Sequence, residues 1–248
     1  MGTLSVLILC LSIFCITVQS NRLTSPKNTN SKKIVCYFTN WAQYRPNEGK
    51  YVPEDIEPTL PKTERKECTK DWWKSRTRTK MPKFLLAIGG WSFGTQRFKE
   101  MASNRYNRQL FVFSAIRYLR DRNFDGLDLD WEFPRGGDDK KNFVLVLKEL
   151  REAFEEEAKD KKMPRLLLTI AVSAGSETIR SGYDVPAVAA YCDFINIMSY
   201  DFHGKWESQT GHNSPLYALS TESQWRKQLC MVKIFILSIH LELSSLAN

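Results

Sequence analysis

Five short apolar runs constrain the fold of this chain more than any other feature. They are KIVCYFTNW (33–41), KFLLAIGGW (83–91), FDGLDLDWEF (124–133), RLLLTIAVSA (165–174) and FINIMSYDF (194–202). Each is bounded by Gly, Pro or polar residues and has the length of a strand. A strand can be apolar through its length only when both of its faces are covered. Helical patterns lie between the runs. After Asp138 and Asp139, which can cap a helix, Phe143, Leu147, Leu150 and Phe154 recur at spacings of four, three and four, one face of an α-helix. Residues 106–120 repeat Leu110, Phe113, Ile116 or Arg117, and Leu119 or Arg120 near the same period. Strand–helix–strand alternation predicts an α/β fold with a parallel sheet, either a (β/α)8 barrel or an open doubly wound sheet. No G-x-G-x-x-G follows any run, which argues against the dinucleotide-binding form of the latter.

Outside the rhythm, the chain begins with twenty residues that carry no charge, with an apolar stretch from Leu4 to Val18 and a small residue at Ser20. This predicts a secretory signal peptide over 1–20, since a membrane span needs about twenty strongly apolar residues. Residues 21–32 are polar and turn-rich and read as a flexible leader. Export implies an oxidising compartment. Beyond the signal segment, Cys36, Cys68, Cys192 and Cys230 allow three pairings, too few to make a disulfide scaffold of so long a chain. The formal net charge of +8 is mostly local, because 62–83 hold nine Lys or Arg against three acids. Such a stripe can bind nucleic acid or acidic glycans. An exported chain seldom meets nucleic acid, so we read it as a solvated loop, in a monomer that binds neither nucleic acid nor membrane.

FDGLDLDWEF carries the chemistry. On a strand, Asp128, Asp130 and Glu132 share one face and stand roughly 6–7 Å apart, with Leu127, Leu129 and Trp131 on the other. Like charges this close, partly desolvated, cannot all ionise, so at least one pKa rises and a carboxylic acid becomes available as a proton donor. A hard-oxygen metal site and a merely wet strand face are the alternatives, although the EF-hand spacing and its Gly are absent. At the end of a barrel strand these acids would point into the C-terminal mouth, with Glu132, just before Pro134, at the rim.

D-G-L-D-L-D-W-E resembles the D-G-x-D-x-D-x-E signature of glycoside hydrolase family 18, the chitinases, with animal chitotriosidase and acidic mammalian chitinase-like members the nearest in kind. CYFTNWAQYRP (36–46), LLAIGGWSFGTQ (85–96), MSYDFHGKW (198–206) and TGHNSPLY (210–217) agree with that family in its order. The resemblance implies a (β/α)8 TIM barrel, a chitin or chito-oligosaccharide substrate, and no cofactor or metal. It implies that Glu132 protonates the glycosidic oxygen while the substrate's N-acetyl oxygen attacks the anomeric carbon. Asp130 would orient the acetamido N–H, and Asp128 would share a proton with Asp130. Tyr200 and Asp201 would hold the acetamido group, and Met198 would line the pocket floor. Tyr37, Trp41 and Trp91 would offer ring faces to sugars, Gly89 and Gly90 would let backbone approach, and Ser92 and Phe133 complete the site. Phe133 stands where the family commonly has Tyr. Cys68 would pair with Cys36.

The resemblance also fails in places. The family's second strand has no apolar counterpart between Tyr51 and Lys80. Its seventh and eighth strands and its inserted α+β subdomain have none after Leu229, although VKIFILSIHLEL (232–243) could crudely fill the seventh strand's place. The chain is thus expected to be a partial catalytic barrel over 33–217 with a divergent tail over 218–248. A secreted chitinase is the first expectation. A non-hydrolytic chitin-binding lectin and an inactive truncated isoform are the alternatives.

Overall fold

A computed structural model describes residues 33–37, 45–46, 83–224, 227 and 230–231. Four of the five runs are strands: β1 (Leu85–Gly89), β2 (Gly126–Asp130), β3 (Leu167–Ser173) and β4 (Phe194–Met198). All pair in parallel, in the order β1-β2-β3-β4. Among the described strands, sequence neighbours are therefore spatial neighbours, as in a barrel, with no reversal of the kind a doubly wound sheet contains. The helices are α1 (Thr95–Ala102), α2 (Arg105–Asp121), α3 (Gly136–Lys161), α4 (Ser176–Gly182) and α5 (Val185–Tyr191).

The first run departs from expectation, because residues 33–37 form no strand ladder. Their side chains nevertheless alternate. Val35 and Tyr37 pack on Leu85, and the Lys33 ammonium lies 4.9 Å from the Phe194 ring centre, while Ile34 and Cys36 are exposed. The rest of that run, including Trp41, the basic stretch 62–82, the segment 1–32 and the tail from 232 lie outside the described residues.

Register sorts every strand residue onto one of two faces. Leu86, Leu127, Leu129, Leu168, Ile170 and Val172 join the helices in the main core. Ala87, Asp128 and Thr169 stand side by side on the other face, and Asn196 pairs with Ala171 along the same alternation. Helix α3 buries the face the spacing predicted, Phe143, Leu147, Leu150 and Phe154 each being at most 1% exposed. Its start differs from expectation. Asp138 and Asp139 lie inside the first turn, and the Asp139 carboxylate accepts from the Arg135 backbone N–H at 2.9 Å, reaching back to the cap residue. Acids there also suit the positive end of the helix.

Helix α2 corrects the expected face. It turns Arg108, Val112, Ala115 and Leu119 inward and leaves Phe113 71% exposed. A buried Arg is tolerable because its charge is matched. Its guanidinium donates to Glu149 and to the Ala102 carbonyl, both at 2.9 Å.

Candidate active site

The strand ends that form the site are fastened by backbone. Gly89 takes φ +127°, and a Cβ there would collide with the Asp130 carbonyl, so only glycine fits. This hook lets the Gly90 N–H donate to that same carbonyl at 2.9 Å. The chain then turns through a 3-10 segment, Trp91–Phe93, that lifts Trp91 over the strand ends with 76% of its surface exposed. An aromatic ladder backs the site from the helix side. Phe93 meets Phe98, Phe98 stacks on Trp131 at 5.3 Å, Trp131 meets Phe143 edge-on at 5.6 Å, and Phe143 meets Tyr183 at 5.9 Å. Trp131 satisfies its one polar atom by donating to the Thr95 hydroxyl at 2.6 Å. Trp131 sits between Asp130 and Glu132 in the chain, so this packing fixes the acids on either side.

The three acids of the column meet different surroundings. Asp128 is fully buried, and both its oxygens accept hydrogen bonds: from Thr169 and Asn196 on one, and from the Tyr37 hydroxyl at 3.0 Å on the other. Burial pushes its carboxyl up to about 6, and those three donors restrain the rise. Asp130 is 6% exposed, and its Oδ1 has no hydrogen-bond partner. Burial, then the charges of Glu132 and Asp128, raise it to about 8. Glu132 lies past the end of β2 and is half-buried. Burial and the Asp201 charge raise it, against a hydrogen bond from the Trp91 backbone. The expected pKa rise thus extends to all three. The wet-strand alternative does not match this burial, and the donors around Asp128 serve a carboxylate, not a cation.

The rim gathers the remaining candidates. Tyr200 is 47% exposed, and its phenol is pushed up to about 12 by burial and then by the charges of Asp130, Glu132, Asp201 and Asp128. Asp201, at φ +55°, accepts from the Asn213 side chain at 2.7 Å. Met198 ends β4 opposite Ser173, and Ser92 is exposed beside Trp91. Phe133 is half-buried, and its carbonyl accepts from the Thr95 hydroxyl at 3.4 Å. Tyr37 packs its ring on Leu85, and its hydroxyl donates to Asp128 at 3.0 Å and accepts from Asn196 at 2.9 Å, so it also holds an acid of the column. Cys36, Cys192 and Cys230 are free thiols, so the expected Cys36–Cys68 pairing is not formed at Cys36, and Cys68 lies outside the described residues.

Sequence reasoning missed Thr169, Asn196, Thr95 and Tyr183. Thr169 and Asn196 carried a signal, each being a polar residue inside an apolar run. Thr95 and Tyr183 carried none.

The four described strands are parallel and consecutively ordered, as in part of a (β/α)8 barrel that is not closed here, and the buried carboxylates lie at the C-terminal end of β2, where barrel enzymes carry their sites. Residues 33–238 match the family Glycosyl hydrolases family 18, and the chain belongs to that family and its (β/α)8 fold. It is 43% identical to mouse chitotriosidase-1 over 78% of this chain and 47% of that one. It is 42% identical to a probable endochitinase of Caenorhabditis elegans over 81% of this chain and 37% of that one. Among solved structures, human YKL-39, described as a pseudo-chitinase with retained chitooligosaccharide binding properties, superposes with a TM-score of 0.73 at 35% identity, over 82% of this chain and 61% of that chain. An immunomodulatory active chitinase from Trichuris suis superposes at 0.71 and 38% identity, with the same shares covered. The chain thus spans less than half the length of the two chitinase relatives. Among the described residues no helix is long and apolar enough to cross a membrane.

Proposed function

We propose that this protein hydrolyses β-1,4 links between N-acetylglucosamine units of chitin or chito-oligosaccharides, with retention and with the substrate's own acetamido group as nucleophile. The observation that carries this reading is the graded column of acids. Glu132 is the one acid of the three with substantial access to the mouth, and its raised pKa keeps a proton available for a leaving oxygen. Substrate assistance needs no second carboxylate as nucleophile, which suits a column whose other two acids, Asp128 and Asp130, are buried. Asp130 would accept the acetamido N–H and offset the positive charge of the oxazolinium ion. To do so it must give up its proton, and Asp128, whose carboxyl sits near 6, is the neighbour to take it. Trp91 and Tyr200 would stack on or hydrogen-bond to the sugar, with Asp201, Met198, Gly89, Gly90, Ser92 and Phe133 as further contacts.

We read the protein as exported after loss of 1–20 and active as a monomer, with 33–217 the catalytic part and 218–248 a divergent tail. Product release from a chitin oligomer by wild type, and its fall by about 100- to 10,000-fold in Glu132→Gln, tests the reading. Equal inertness of the two proteins defeats it. Oligomer binding by both without turnover would make the chain a chitin-binding module instead.

A further inference from the structure

Two buried polar atoms of this wall have no hydrogen-bond partner, Asp130 Oδ1 and the Tyr183 hydroxyl. Unpaired buried groups are costly, and in a native interior each calls for an explanation. Tyr183 is 4% exposed and fixed from several sides. Its ring stands edge-on to Phe143, the last rung of the ladder that begins at Phe93 and runs through Trp131. Its backbone N–H donates to Ile179 at 3.1 Å. The residue before it, Gly182, approaches the segment after Glu132 so closely that a Cβ would collide with the Pro134 carbonyl. The end of α4 is thereby pressed onto the Glu132–Pro134 segment, and the Tyr183 ring joins the ladder that runs through Trp131, the residue between Asp130 and Glu132. The phenol's pKa responds to both acids, raised first by burial and then by the charges of Asp130 and Glu132. The Ser173 backbone pulls the other way from nearby but stands outside hydrogen-bond geometry.

We infer that Tyr183 is a positioning residue for the acid column, whose hydroxyl donates a hydrogen bond, directly or through one bound water, to Asp130 when that carboxylate is charged. The inference rests on the hydrolase reading for its consequence but not for its test. In the free site a protonated Asp130 has little need of a donor. Once Asp130 ionises, its Oδ1 becomes a buried anionic oxygen without a partner among the described residues, and the acids and phenols named below offer it none. Asp128 and Glu132 repel it. The Tyr37 hydroxyl is committed to Asp128, and the Tyr200 phenol stands half-exposed at the rim. Tyr183 is the neighbouring donor with its hydrogen unspent. Reserving the bond for the ionised state stabilises the charge only when the reaction develops it, which is the differential stabilisation catalysis requires.

The decisive measurement is the carboxyl titration of Asp130 by carbon-detected NMR on the full chain, assigned by its loss in Asp130→Asn. Tyr183→Phe should raise the Asp130 midpoint by half a pH unit or more, while Phe143→Leu, which loosens the same packing but keeps the hydroxyl, should not. In wild type, without any substitution, the Tyr183 ring carbon that bears oxygen should shift with the same midpoint as Asp130. An Asp130 midpoint unmoved by Tyr183→Phe, or a Tyr183 resonance that ignores the Asp130 titration, overturns the inference whether or not the chain hydrolyses chitin. Where hydrolysis is present, Tyr183→Phe should lower kcat by about 5- to 10-fold with KM little changed and move the pH–rate limb of Asp130 upward. A fall in kcat with an unmoved limb would mark packing alone and overturn the inference.

Discussion

At the N-terminal ends of the strands, Asp125 and Asp193 are met by cations and amides, while at the C-terminal ends Asp130 is met by other acids. Asp125 precedes β2 and accepts from the Phe84 backbone N–H and the Lys83 ammonium, each at 3.0 Å. Asp193 precedes β4 and accepts from Arg165 at 3.0 Å and from the Leu168 N–H at 2.8 Å, with Arg151 at 3.6 Å. Burial alone would raise the Asp193 carboxyl, but the Arg165 hydrogen bonds, the amide and the two guanidinium charges more than reverse it. Asp193 is thus held ionised at one end of the sheet, while Asp130 is pushed towards protonation at the other. The N-terminal acids clamp adjacent strands. The C-terminal acids repel one another and would cost stability that only function explains.

The largest test of this contrast is Asp193→Ala, which strands Arg165 and the Leu168 amide. It should destabilise the fold by about 3 kcal/mol in urea denaturation. A cost like that of a surface residue would remove the clamp from the account.

The pH dependence should run in opposite directions at the two ends. The folded-state value of Asp130, about 8, lies above its ordinary 3.8, so its contribution to stability is full below about pH 4 and is lost as pH rises through 8. The lowered value of Asp193 contributes above about pH 4, and that contribution is lost as pH falls through the folded value. Asp130→Asn should therefore flatten the decline between about pH 4 and pH 8 and add about 1 kcal/mol near pH 8, measured by thermal or chemical unfolding across pH. A steeper decline over that window in the variant would contradict the strain assigned to the mouth. The smallest effect belongs to Lys83→Ala. Its ammonium is 46% exposed, and less than about 0.5 kcal/mol should be lost although the ion pair is short.

Much of this was legible before any coordinates. The α3 face was readable because its apolar residues stand out from a strongly charged background. The α2 face was not, because apolar residues lie nearly all round that helix, and the choice between Phe113 and Arg108 was made by Glu149, 41 positions away. The acid column was visible in ten residues. Its support was not, since Thr169 reaches Asp128 across 41 positions and Asn196 across 68.

Alternation within one strand is a local property. The sequence alone therefore determined that Asp128, Asp130 and Glu132 would share a direction, that the strands would be parallel and covered, and that the family is one of glycoside hydrolases. Tertiary structure decided which acid would be satisfied and which left wanting. Strand register places donors opposite Asp128, Asp130 Oδ1 finds no partner among the described residues, and the close approach of Gly182 to Pro134 presses the end of α4 onto the segment that follows the acids. Hydrogen bonds and desolvation depend on distances between residues remote in the chain, and only the folded sheet sets those.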